Sequence, residues 1–367
     1  MEYKNMKRHH SMKERVKNFK QFYRRENERP LFGFTMGSEY PLHRYNAAKR
    51  LPEDTPLKPD DLIAADYMED YDRLFEEHEL CGGDFIWTGS ILWAIPWLEV
   101  ALGCSIYANH ATGSIYSKPP EDFGKTATSL FFNENSPWMA KAKEFLIEMS
   151  RTSNGRWPIG TTRMRGISDL LSAVYGVEKF LYIMLDNPDE IKKVCAKLTE
   201  FWLSFGKLQL DNISLFYNGV GSYFFNMWAP QGTIWCQEDA TALLSPGLYE
   251  EFIQPCLEQI VNFFPSCIIH QHSAGFVPTE SYIKMGMTAL EMHIDAGGPS
   301  AEELYDVHRM ILNEKPLLIW GNIPEKDLDW IFSKLPCKGL AVNTLVSSTK
   351  EAEKLWKEYC KHSSRWK

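Results

Sequence analysis

The sequence predicts an α/β chain that closes into one (β/α)8 TIM barrel, and three observations carry that prediction. Short apolar runs alternate with helical patterns, most cleanly in the second half, as parallel strands joined by crossover helices do. Eight such runs can be counted along the chain. Polar and ionisable residues gather at their C-terminal ends, the rim on which a barrel builds its site. The length of 367 residues exceeds the roughly 250 of a plain barrel and leaves room for an insertion. An open doubly wound sheet is the alternative, but no glycine-rich dinucleotide fingerprint and no P-loop pattern supports it.

Residues 1–29 read as a helical extension, with a charged amphipathic helix over 11–28, and residues 30–367 as the barrel. Pro30-Leu-Phe-Gly-Phe-Thr-Met-Gly37 has the pattern of a buried strand. Residues 59–79 are acidic and helix-like, and Asp84-Phe-Ile-Trp-Thr-Gly89 is the second strand. Pro96, Pro119 and Pro120 mark 90–135 as a long irregular insertion. Helical periodicity over 137–151 and 179–208 flanks 155–160, a third strand end. Strands then follow at 233–239, 267–272, 288–293, 316–321 and 339–344, alternating with helices at 246–263, 278–285, 300–313, 325–333 and 349–361. Ser245 before Pro246 supplies an N-cap and a first-turn proline.

With 40 basic and 48 acidic residues the formal charge is −8, which argues against nucleic-acid or anionic-membrane binding as the main task. A small anionic substrate held by a few local groups stays compatible with it. Aromatic residues reach 13%, enough for a bulky core or for a ring-walled cavity. The eight cysteines form no C-x-x-C pair and no regular framework. The basic N-terminus has no apolar segment of signal-peptide type, and no apolar stretch is long enough to span a membrane. A reducing cytoplasm is the expected compartment.

His270-Gln-His272 is the strongest local signal. A strand has period two, so both imidazoles leave from one face at the end of an apolar strand. They can share a divalent metal, act in acid–base chemistry, or simply bond to each other at the rim. On the next strand Glu291, His293 and Asp295 repeat that spacing. Two histidines and a carboxylate from neighbouring strands make a three-ligand site with an open position. His293 or Asp295 capping the helix near Pro299 is the plainer reading. Glu238 and Asp239 close another strand; one is a candidate base or ligand, and the other is left to loop solvation. Asp84 lies near Trp87 and Trp93, where desolvation would raise its pKa and suit it to proton transfer. Arg163 and Arg165 are a candidate anion clamp, with a surface role as the alternative. No serine sits in a G-x-S-x-G elbow.

The stretch from Gln237 to Pro255, with Asp239, Ser245-Pro246, Phe252 and Pro255 in order, resembles a segment of the uroporphyrinogen decarboxylase superfamily. The His-x-His strand at 270–272, Gly321-Asn322 before a short helix, Leu102-Gly103-Cys104 and Leu185–Glu190 are similar to other recurring pieces of it. The resemblance is diffuse over about 30–360 and specific over 237–275. It implies a (β/α)8 barrel and one of two activities: decarboxylation of uroporphyrinogen, or zinc-dependent methyl transfer involving a corrinoid protein or a thiol. The arginine-rich motif expected after the first strand of a decarboxylase is replaced here by Thr35-Met-Gly-Ser-Glu-Tyr-Pro-Leu-His-Arg44. The methyltransferases' H-x-C and late cysteine are replaced by His270 and His272 and by a cysteine-free 339–346. Imidazoles leave a metal a stronger Lewis acid than thiolates do, which suits an oxygen ligand better than a thiol.

The expectation is therefore a metal-dependent, methyltransferase-like enzyme acting on a small substrate. His270, His272 and Glu291 are the candidate ligands of a divalent metal, zinc first. Asp239, Asp84 and His293 are the candidate catalytic groups, and Arg163, Arg165, Trp87, Trp93 and Asn322 the candidate substrate contacts. The resemblance implies a corrinoid protein as partner, and the aromatic segment 85–97 offers either a homodimer surface or a pocket wall. A metal-free decarboxylase or lyase, and a non-catalytic ligand-binding barrel, are the alternatives.

Overall fold

The computed structural model describes residues 7–38, 40–222 and 225–366. Its strands are β1 (Leu31–Met36), β2 (Ser105–Asn109), β3 (Ser114–Lys118), β4 (Gly160–Thr161), β5 (Gly219–Ser222) and β6 (Met227–Pro230) in the first part of the chain. They continue with β7 (Thr233–Gln237), β8 (Ser266–His272), β9 (Ala289–Ile294), β10 (Leu317–Gly321) and β11 (Leu340–Val346). Six of them form a central parallel sheet in the order β1-β11-β10-β9-β8-β7, an α/β architecture with helices between successive strands. These six strands are buried almost throughout, because helices cover one face and side chains fill the other. That double burial is why they read as unbroken apolar runs.

The structure departs from an eight-stranded ladder on the N-terminal side. Residues 84–88 form no regular strand; Gly83 and Gly89 make single bridges to Gly33 and Ile159. The strand near 160 is the two-residue β4, in a separate three-stranded sheet β4-β5-β6, and Arg165 makes a single bridge to Gln237 of β7. Glycines there allow close packing. A Cβ on Gly89 would stand 2.5 Å from the Trp157 ring, and one on Gly221 2.1 Å from Thr88. Side chains thus press directly against backbone at these glycines.

The segment 90–135 is more ordered than its prolines suggest, with a helix at Trp97–Ala101 and an antiparallel hairpin β2–β3. Asn109 accepts the N–H of Thr112, and Gly113 takes φ +69°, which shapes the turn. The helix Met12–Tyr23 packs against the body through Phe19 and Phe22, both fully buried, with Arg15 paired to Glu79 at 2.6 Å. Among the described residues no helix is long and apolar enough to cross a membrane.

Candidate metal centre

Parallel pairing sets the site. In the sheet register His270 stands opposite Gln237 on one side and Glu291 on the other, while His272 stands opposite His293, which stands opposite Trp320. Side chains directly across a parallel ladder project from the same face, so two rows of polar groups line up at the C-terminal edge of β7–β10. Gln271, with alternate phase, points instead into the helix layer, where its Oε1 accepts from Thr279.

The rows converge. His270 Nε2 lies 3.2 Å from His272 Nε2, and Asp239 Oδ1 lies 3.9 Å from His272 Nε2. One ligand atom from each of Asp239, His270 and His272 is within 4.8 Å of the other two, so this cluster could hold a metal ion. Behind it, Glu291 bonds Nδ1 of His270, and Asp295 Oδ1 bonds Nδ1 of His272 at 2.7 Å. Asp295 also accepts from the backbone and hydroxyl of Ser273, rather than capping the next helix; Glu303 pairs with Ser300 there. Each imidazole is thus gripped at Nδ1 by a carboxylate and turned so that Nε2 faces the cluster, the support that metal-binding histidines characteristically receive. Glu291 is completely buried and stands behind His270; Asp239 is the carboxylate within the cluster.

Charge follows contact. Burial works against a proton on His270, but Glu291, with Asp239 and Asp295 behind it, overrides burial and pushes its pKa up to about 9. His293 goes the other way, down to about 3, through burial and the neighbouring His270 charge, and stays neutral. Burial would raise Asp295, but His272 holds its carboxyl below the ordinary range.

A cavity of about 380 Å³ opens over the cluster. Asp239, His270, His272 and His293 line it together with Arg163, Trp93, Trp235, Trp320 and the hairpin residues Ser114 and Ile115. Arg163 lies with its guanidinium carbon 5.9 Å from the Trp93 ring centroid. Trp235, Trp320 and the hairpin contacts are missing from the sequence reading. The two tryptophans were legible as strand residues in phase with the histidines' face, whereas the hairpin was hidden in a segment read as irregular.

Other residues singled out in the sequence lie elsewhere. Asp84 is fully buried, but Arg29 grips both its oxygens at 2.6 Å, and Asn18 and the backbone N–H of Phe32 complete its shell. Burial would raise its pKa, yet the guanidinium wins and holds it below the carboxylate range, the reverse of the expectation for a proton-transfer group. Trp87 packs edge-on to Trp157 at 5.0 Å in the core. Arg165 pairs with the buried Glu99 at 2.9 Å and Asp169 at 3.5 Å, so it serves the frame rather than the cavity. Asn322 sits exposed in the turn after β10, away from the cavity lining. Glu238 is not solvated: it is buried and accepts from Ile167 N, Ser168 N and Ser168 Oγ, and burial with Asp169 nearby pushes its pKa up to about 8.

No protein-family model and no curated protein matches this chain. Among solved structures, a methyltransferase from Methanosarcina mazei matches it with a TM-score of 0.58 at 12% identity, over 96% of this chain and 99% of that one. At that identity the likeness establishes a shared α/β fold along nearly the whole chain and leaves the chemistry to the residues of the site.

Proposed function

We propose that the chain is a divalent-metal enzyme of methyltransferase type whose centre is formed by Asp239, His270 and His272. In this reading the arc completed by single bridges closes a (β/α)8 barrel of the uroporphyrinogen decarboxylase type, and the cavity is its mouth. The observation that carries the proposal is the pair of carboxylates behind the two imidazoles. The two Nε2 atoms, 3.2 Å apart and able to hydrogen-bond to each other, face a buried Asp239 oxygen that has no hydrogen-bond partner, and a metal would engage all three at once. Two nitrogens and one oxygen suit zinc or another borderline divalent ion. Such an ion would supply Lewis acidity to an oxygen-bearing substrate.

The chain's own residues do the rest. Glu291 and Asp295 fix the imidazoles. His293, neutral and lining the cavity, presents an uncharged hydrogen-bonding edge to the substrate. The tryptophan walls exclude water, and Arg163 offers one positive charge to an anionic group. The cavity is near the lower end of the roughly 300–1,000 Å³ of small-molecule sites, and with one arginine in its lining it does not suit a tetrapyrrole bearing eight carboxylates. A methyl group leaving such a substrate needs an acceptor, and a corrinoid carried by a partner protein is the one the sequence resemblance implies. The metal-free lyase reading keeps only Asp239 and Arg163 of its four residues, since Asp84 and Arg165 are committed to buried ion pairs.

Metal content of the purified protein tests the central point. Near one equivalent in the wild type and a sharp fall in His270→Ala are expected. Trace metal that is unchanged by the substitution would sink the proposal. Loss of a reduced corrinoid's absorbance on mixing with methylated small molecules, dependent on that metal, then tests the transfer.

A further inference from the structure

We propose that Gln237 and Asp169 are positioning residues that present Asp239 to the metal through a single oxygen; the inference rests on the metal reading above. Gln237 and Asp239 are two residues apart at the end of β7, and Gln237 Nε2 donates to Asp239 Oδ2 at 2.6 Å. That bond leaves Oδ1 as the oxygen turned to the histidines, 3.9 Å from His272 Nε2 and without a hydrogen-bond partner. A free aspartate can offer a metal both oxygens. Here one is already occupied by an amide that itself stands opposite His270 in the sheet.

The backbone beneath is fixed just as tightly. Asp169 Oδ2 accepts from Asp239 N at 3.3 Å, and Asp169 Oδ1 from Ala240 N at 3.0 Å. In return Glu238 accepts the N–H groups of Ile167 and Ser168, both at 2.9 Å. Each segment thus caps the other: a carboxylate from the strand end holds the start of the helix Ile167–Tyr175, and a carboxylate from that helix holds the turn carrying Asp239. The clasp leaves no slack. A Cβ on Gly166 would stand 2.1 Å from the Gln237 carbonyl oxygen and 2.1 Å from Glu238 Cδ. Arg165, bound to Glu99 and Asp169, offsets part of the buried negative charge. A monodentate aspartate with two imidazoles keeps coordination positions free for substrate.

Cobalt(II) is the probe, because the intensity of its visible absorption falls as coordination number rises. Full-length protein is stripped of metal with a chelator and titrated with Co²⁺. Gln237→Met keeps the length of the side chain and removes the donor, so Oδ2 becomes free to coordinate. The expected result is weaker absorption per bound Co²⁺ than in the wild type, with affinity reduced about tenfold. Asp169→Asn is expected to weaken Co²⁺ binding about 10–100-fold; if it fails to fold, Gln237→Met carries the test alone. A Gln237→Met protein whose bound Co²⁺ has the wild-type spectrum overturns the inference, whatever its affinity. A wild-type protein that binds no Co²⁺ overturns the metal reading itself, a separate failure seen before any variant is made.

Discussion

Asp84 opens the extended segment 84–89 and Asp239 follows the end of β7; both lie close to histidines or aromatic rings, and from sequence both are candidates for chemistry. Their surroundings separate them. Arg29, Asn18 and the Phe32 amide use both oxygens of Asp84, whereas Asp239 keeps one buried oxygen unpartnered and turned to two imidazoles. A carboxylate whose bonding capacity is spent inside the protein holds the fold; one held by a neighbour yet left incomplete is ready for a ligand.

Substitution at the two positions should therefore give opposite phenotypes. The largest effect is expected at Asp84→Ala, which strands Arg29 and should cost about 3–5 kcal/mol in denaturant unfolding. Metal affinity of the folded fraction should be unchanged. Asp84 also sets an acid limb. Its pKa is depressed in the fold, so its stabilisation is present above the unfolded value near 4 and is lost as pH falls through the lower folded value. Asp84→Asn should flatten that limb.

Asp239→Ala should do the reverse, lowering metal affinity by more than the roughly 100-fold that outer partners cost at most, with little loss of stability. If Asp239→Ala unfolds the protein, or Asp84→Ala abolishes metal binding in folded material, the contrast breaks. Glu291→Gln sharpens it: an amide keeps the shape behind His270 but not the charge, and metal affinity should fall about 10–100-fold in a calorimetric titration.

The smallest effect concerns His308, completely buried with neither ring nitrogen partnered. Burial lowers its pKa to about 3, so the unfolded chain binds the proton more readily. Stability is then full above pH 6.5 and falls as pH drops towards 3; the His308 share between pH 7 and 6 is about 0.5–1 kcal/mol. His308→Leu should remove that slope and raise stability at neutral pH. An unchanged slope would show that the acid sensitivity comes from other groups.

The parallel half of the fold was legible because double burial writes itself into sequence as apolar runs, and strand period two then put His270 with His272 and Glu291 with His293 on one face. Roles within the cluster were less legible. Spacing cannot distinguish Glu291, which stands behind His270, from Asp239, which stands inside the cluster, since both face the same way and differ only in depth. Asp84 misled because tryptophans nearby in sequence suggest an apolar pocket, while the deciding cation, Arg29, lies 55 positions away. The hairpin β2–β3 was missed because its alternating Ser105-Ile-Tyr and Ser114-Ile-Tyr segments are short and sit between prolines.

That hairpin divides the labour of the cavity. Among the described residues its two strands pair with each other alone, and Gly113 is tied to the helix Pro41–Arg44 through its carbonyl bond to the Leu42 amide, while Ser114 and Ile115 reach the cavity wall. None of the ligand-bearing strands shares a ladder with it. The hairpin can therefore change without removing a ladder bond of β7–β10, provided the packing of β3 on the helix Ile167–Tyr175, which holds the turn carrying Asp239, is kept. Variation at the rim would then reshape the cavity mouth while the cluster of Asp239, His270 and His272 keeps its geometry.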